Sequence, residues 1–202
     1  LYGVTPDRVL VGRGSDEAID LLTRAFCRAG TDAVLVSPPT FGMYAVCARV
    51  QGAIVQEEPL DAEHGFAYPL AAVRARFDTP RTVVPKLVYV CAPNNPTGTP
   101  VPRAVIEQLL VATRGQALLV VDEAYGEFSQ SASAAELLPQ NPHLVVLRTL
   151  SKAHGLAGER IGTCLADPAV IGLLRKIMAP YPLPSGSVAN ALRVLEADSL
   201  ST

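Results

Sequence analysis

The chain has 202 residues, is 49% hydrophobic and 18% charged, and carries a formal net charge of −2 at pH 7. That length and a mean hydropathy of +0.27 exclude a disordered chain and suit one large α/β unit, or a domain with part of another. Interspersed charges exclude a basic face for nucleic acid, and no uncharged apolar run reaches the roughly 20 residues of a membrane span, so small-molecule chemistry in a soluble cytoplasmic protein is expected. Cys27, Cys47, Cys91 and Cys164 lie far apart, without the spacing of a zinc or redox motif, and read as buried free thiols in a reducing compartment. No metal site is expected.

In chain order, "RVLVG", "DAVLVS", "AIVQEEP", "KLVYVCAP", "ALLVVDE", "LVVLRTLS" and "IGTCLAD" read as short strands rich in Val and Leu, as strands covered on both faces should be. Between them "SDEAIDLLTRAFCRAG", "FGMYAVCARVQG", "PLAAVRARF", "PRAVIEQLLVATRG" and "PAVIGLLRKIM" carry helical spacing. Ser15 as an N-cap, Pro102 in a first turn and C-terminal Gly30, Gly52 and Gly115 mark the helix ends. The alternation predicts an α/β fold, a three-layer α/β/α sandwich around a mostly parallel mixed sheet. Ligands on such sheets collect beyond the carboxyl ends of the strands, where the chemistry is to be sought.

Four strand ends carry chemistry-bearing residues. After the first strand, "GRGSDEAI" opens a helix whose free N–H groups can hold a phosphate, or it is a plain tight turn; its spacing fits neither a dinucleotide fingerprint nor a Walker A loop. In "APNNPTG", Pro93 and Pro96 brace a loop in which Asn94 and Asn95 either shape a turn or donate to a ligand oxygen. Asp122 ends the apolar strand of "VVDEAYGEF", where a carboxylate needs a positive partner or a donor: either a structural ion pair, or a ligand's protonated ring nitrogen with Tyr125 nearby. In "RTLSKAHGLAGERIG", Lys152 is either a surface lysine or an amine made nucleophilic by oriented dipoles and the nearby cation Arg160.

Together these segments, with "PPTFGMY" and "APYPLPSGSVAN", resemble the large domain of the fold-type I pyridoxal-phosphate (PLP) aminotransferases of class I/II, in their family order and over essentially the whole chain. The resemblance implies that Lys152 forms the internal Schiff base with PLP and later shuttles a proton, that Asp122 keeps the pyridine nitrogen protonated, and that Asn95 and Tyr125 donate to the ring's 3′-oxygen. It places the phosphate on the helix start at Ser15 and Asp16, on Ser151 and Arg160, and less strongly on Thr149, with Gly155 and Gly158 letting the backbone fold around it. Phe41 falls where the family stacks an aromatic, usually Tyr, on the ring. Two positions depart from the pattern: His154 stands where a Phe is common, and Glu159 where an apolar residue is, next to Arg160 for which it could compete.

The resemblance implies residues 1–183 as the PLP-binding large domain and 184–202 as the start of a helix leading to a small domain. The chain begins without Met and ends within a helical pattern, so a piece of a longer protein is expected, a homodimer when intact. Within the family, the branch acting on L-histidinol phosphate with the 2-oxoglutarate/glutamate pair by a ping-pong route, in histidine biosynthesis, fits best. The alternatives are a phosphate-ester amino-acid decarboxylase, another amino-acid aminotransferase, and a non-catalytic PLP-binding effector domain of a transcription regulator.

Overall fold

The computed structural model describes residues 1–78 and 83–199. Seven strands form one mixed sheet: β1 (Val9–Arg13), β2 (Ala33–Val36), β3 (Ile54–Glu57), β4 (Pro85–Cys91), β5 (Leu118–Asp122), β6 (Leu144–Thr149) and β7 (Ile161–Ala166). Their spatial order is β1-β7-β6-β5-β4-β2-β3. The strands from β3 to β6 in that order are parallel, whereas β7 runs antiparallel to both β6 and β1. All seven apolar runs read from the sequence are strands of this sheet.

Side chains alternate across the sheet, and both faces are covered. Leu87, Tyr89 and Cys91 of β4 join one core with α1 (Gly14–Phe26), α2 (Met43–Gln51) and α5 (Pro168–Ile177). Val88 and Val90 of the same strand join a second core with α3 (Leu70–Asp78) and α4 (Arg103–Thr113). The result is a three-layer α/β/α sandwich, and the burial of both faces is the reason the strands read as nearly continuous apolar runs. α6 (Ser185–Ser199) lies apart from these layers and closes a small cluster with Leu150, Leu156 and Ile161, over the loop that joins β6 to β7.

Local chemistry accounts for several helix ends. Asp167 caps α5, its carboxylate accepting from the Ala169 N–H at 3.0 Å with Pro168 at the first position, and Arg175 and Lys176 sit in the last turn where the dipole favours cations. Gly52 ends α2 in the left-handed conformation at φ 77. Gly115, at φ 73, directly follows the α4 cap Arg114, where a left-handed glycine ends a helix, whereas Gly30, at φ 68, lies three residues beyond the cap Cys27.

Two helix starts differ from expectation. Ser15 is not an N-cap: Arg13 holds that position and α1 begins at Gly14, so Ser15 lies within the first turn, and no side chain caps it. Gly14, at φ 78, lets the chain enter the helix two residues early. Pro102 is the N-cap of α4 and not a first-turn residue, because its ψ of 141 is extended and turns helical only at Arg103.

The strand directions decide where the site lies. β2, β4, β5 and β6 are parallel, and two successive reversals through β7 bring β1 into the same sense. Their carboxyl ends therefore share one edge of the sheet. β7, running the other way, starts from that edge immediately after Arg160.

Candidate active site

The loops at that edge surround an open cleft. Its walls contain all ten residues singled out from the sequence: Ser15 and Asp16 from the start of α1, Phe41 from the loop after β2, Asn95 after β4, Asp122 and Tyr125 at the end of β5, and Thr149, Ser151, Lys152 and Arg160 from the end of β6 and the following loop. Their separation in sequence, from residue 15 to residue 160, is closed by the common strand direction.

Asp122 is the most confined of them, at 2% exposure. The Tyr44 hydroxyl donates to its Oδ2 at 2.7 Å and the Ala124 N–H to its Oδ1 at 3.0 Å. Burial pushes its carboxyl up to about 6, against which the two donors act, while the nearby Asp16 and Glu123 carboxylates push the same way as burial. A buried carboxylate held by neutral donors is suited to a cation.

Lys152 is exposed, and its Nζ lies 5.2 Å from the centroid of the Tyr125 ring. Arg160 adopts a left-handed backbone at φ 55, and its guanidinium donates to Asp16 Oδ2 at 3.1 Å, to the Ala157 carbonyl at 3.2 Å and to Ser151 Oγ at 3.4 Å. Gly14 permits this approach, since a Cβ there would come within 2.7 Å of Arg160 Nη2. At Gly162 a Cβ would lie 2.3 Å from Gly14 C and Ser15 N, so the start of β7 packs backbone to backbone against the start of α1. An uncapped helix N-terminus, a guanidinium and a hydroxyl thus meet at one place, a donor set suited to a phosphate.

Several expectations are refined by the geometry. Thr149 is buried, and its hydroxyl is taken up by Ser151 Oγ at 3.0 Å and the Ile161 carbonyl at 3.2 Å, so it orders Ser151. Asn94 and Asn95 separate: the Asn94 amide donates to the Pro39 carbonyl at 2.9 Å and to Thr97 at 2.8 Å, tying this loop to the one carrying Phe41, while Asn95 faces the cleft. Gly155 has positive φ, but Gly158 does not and sits in a short 3-10 turn. Glu159 does not compete for Arg160. Its Oε1 accepts from Asn190 of α6 at 2.6 Å, and hydrogen bonds from Ser187 and Asn190 hold its carboxyl below the usual range. His154 lies outside the cleft lining, largely buried, with Nε2 3.9 Å from Glu127.

Three features went unread in the sequence. Cys91, paired with Asp122 across β4 and β5, lines the cleft; burial and then that carboxylate push its thiol up to about 11, so it acts there as a small neutral hydrophobe. Tyr44 was visible only as a Tyr on an apolar helix face, a residue whose hydroxyl needs a partner when buried. Behind the Tyr125 loop, Arg148 donates to Glu123 and Glu127, each at 2.7 Å, and Glu123 also accepts from Ser133 Oγ and the Ala134 N–H. An arginine in the otherwise apolar strand β6 was the available sign of that network.

A family profile described as aminotransferase class I and II matches residues 1–201. The chain belongs to this aminotransferase family. Members similar to it include the histidinol-phosphate aminotransferase of Stenotrophomonas maltophilia (strain R551-3), 54% identical over 100% of this chain and 55% of the relative, and that of Xylella fastidiosa (strain 9a5c), 52% identical over 99% and 54%. The chain therefore spans about half the length of the curated relatives it matches. Among solved aminotransferases, histidinol-phosphate aminotransferase from Sinorhizobium meliloti in complex with pyridoxal-5′-phosphate superposes with a TM-score of 0.86 at 27% identity, covering 98% of this chain and 53% of that one. Aspartate aminotransferase from Thermus thermophilus with maleate superposes with a TM-score of 0.78 at 26% identity, covering 96% and 53%. The three-layer fold around the mixed sheet is thus the aminotransferase fold.

Proposed function

We propose that the intact protein is a PLP-dependent aminotransferase that exchanges an amino group between L-histidinol phosphate, or its keto counterpart imidazole acetol phosphate, and the 2-oxoglutarate/glutamate pair. The observation that carries the cofactor reading is the convergence, in one cleft, of an amine, a buried carboxylate held by neutral donors and an anion-binding helix start. The substrate reading is supported by the names of relatives at 50–54% identity along the chain.

The residues present fit PLP. Asp122 would hold the ring nitrogen in its protonated form, and the gain is mutual, because a cation there relieves the cost of burying the carboxylate. Phe41 would supply an aromatic face to the ring, without the hydroxyl that a Tyr adds. Asn95 and Tyr125 would donate to the ring oxygen, and Ser151, Arg160 and the first-turn N–H groups of α1 to the phosphate. When bound, PLP supplies an electron sink for the electrons left at the substrate Cα. Lys152 would hold the cofactor through its amine and would carry the proton at that Cα.

In this reading residues 1–183 form the cofactor-binding large domain and α6 begins the connection to a small domain. The active protein is read as a cytoplasmic homodimer. The four cysteines, free and buried, accord with a reducing compartment.

The test is to incubate the protein with PLP, follow the absorbance of the bound cofactor, reduce with borohydride and map the label by peptide mass. The label is expected on Lys152, and a protein that fixes PLP elsewhere, or not at all, sinks the assignment.

A further inference from the structure

We propose that Tyr44 is a positioning residue for Asp122: its hydroxyl clamps one carboxylate oxygen and favours the ionised form that a protonated ring nitrogen requires. This rests on the PLP reading of the cleft. Among the described residues Tyr44 is the one side chain that hydrogen-bonds Asp122, donating to Oδ2 at 2.7 Å from a fully buried position on α2.

The phenol is aimed by packing. Its ring stacks on Tyr89 of β4 at 4.4 Å and 9°, and Phe41 meets it edge-on at 5.6 Å and 81°. Held on two sides, the hydroxyl has little freedom left to lose when it meets the carboxylate. With the Ala124 N–H on Oδ1 it sets the plane of the carboxylate, and each oxygen keeps a further lone pair for a partner in the cleft. Phe41, expected to face the cofactor ring, also buttresses the residue that orders the carboxylate beneath it.

The other groups around Asp122 do not perform this task. Asp16 from α1 and the adjacent Glu123 are anionic and oppose its ionisation, while the Cys91 thiol of β4 is neutral and its Sγ is directed at the Pro93 carbonyl at 3.4 Å. Lys152 and Arg160, from the loop after β6, line the same cleft but make no hydrogen bond to Asp122 among the described residues. The Tyr44 hydrogen bond acts against burial, favouring the charged form.

The experiment compares wild type, Tyr44→Phe and, as a packing control that keeps the ring stack, Tyr89→Phe. Asp122 ionisation is read in the cofactor-free protein from the protonated-carboxyl infrared band, using Asp122→Asn to identify it, and PLP affinity is read by absorbance at pH 6. Loss of one hydrogen bond to a charged group is expected to raise the Asp122 midpoint in Tyr44→Phe by about 1–2 pH units and, by leaving only about a tenth to a hundredth of Asp122 ionised at pH 6 where wild type holds about half, to weaken PLP binding roughly 5- to 50-fold, with neither change in Tyr89→Phe. An unmoved midpoint in Tyr44→Phe, an unchanged PLP affinity, or an equal shift in Tyr89→Phe overturns the proposal. The titration needs no cofactor, so a wild-type protein that takes up no PLP is a different result and overturns the cofactor reading instead.

Discussion

Replacing Asp122 by Asn should change the pH dependence of stability in a calculable way. The carboxyl is buried and raised from 3.8 to about 6, so between those values the folded protein keeps a proton that the unfolded chain has released. A carboxyl raised in the folded state lowers stability as pH rises through this window. Two units at 1.36 kcal/mol each give a loss of about 3 kcal/mol, complete above pH 6 and absent below about pH 4. Asn cannot ionise, and its amide can serve both neighbours: the carbonyl oxygen accepts from the Ala124 N–H and the NH₂ donates to a Tyr44 hydroxyl that turns to accept. Urea denaturation of cofactor-free wild type and D122N from pH 4 to 7 reads the difference directly. Carboxylates with the opposite slope, such as Asp32 held low by Arg28, are common to both proteins and cancel. Wild type should fall relative to D122N by about 3 kcal/mol across the range. A difference that stays constant with pH shows that Asp122 ionises as an ordinary carboxylate and that burial does not govern it. Saturating PLP should flatten the difference in wild type, because the ring nitrogen supplies the missing cation.

Gly162→Ala should be strongly destabilising, since the new methyl would lie 2.3 Å from Gly14 C and Ser15 N and the two backbones must separate; a loss of at least about 1–3 kcal/mol should appear as a lower urea midpoint at unchanged slope. A midpoint equal to that of wild type would show that β7 and the start of α1 are not in contact in solution. Arg160→Ala should weaken PLP binding roughly 10- to 100-fold, because a charge-assisted partner of the phosphate is lost, but should leave binding of pyridoxal, which has no phosphate, nearly unchanged. Equal losses for both ligands place Arg160 away from the phosphate.

Much of the site was legible before any fold was known, because strand ends are legible. A carboxylate closing the run of β5, an amide in a proline-braced loop after β4 and a lysine between hydroxyls after β6 all break an apolar pattern abruptly, and all reach the cleft. The finer assignments were not legible. "APNNPTG" presents two amides that local chemistry cannot tell apart; the resemblance alone pointed to Asn95, and the physical reason, the approach of the loop carrying Pro39 to Asn94, lies in the tertiary structure. Glu159 and Arg160 are adjacent in the chain, yet the partners that separate them, Asn190 and Asp16, are 31 and 144 residues away. Ser15 looked like a cap because the sequence cannot show that a glycine in the left-handed conformation starts the helix two residues earlier.

By itself the sequence determined the alternation of buried strands and amphipathic helices, and with it the layers, because periodicity and apolar content are local properties of the chain. The tertiary structure decided the reversal of β7, which no local pattern encodes and which delivers Arg160 to the edge where β1 and β6 end. It also decided the stacking of Tyr44 on Tyr89, through which a tyrosine on one helix reaches a carboxylate 78 residues away. Such pairings depend on which surfaces meet when both faces of the sheet are covered, so they exist only once the whole core has closed.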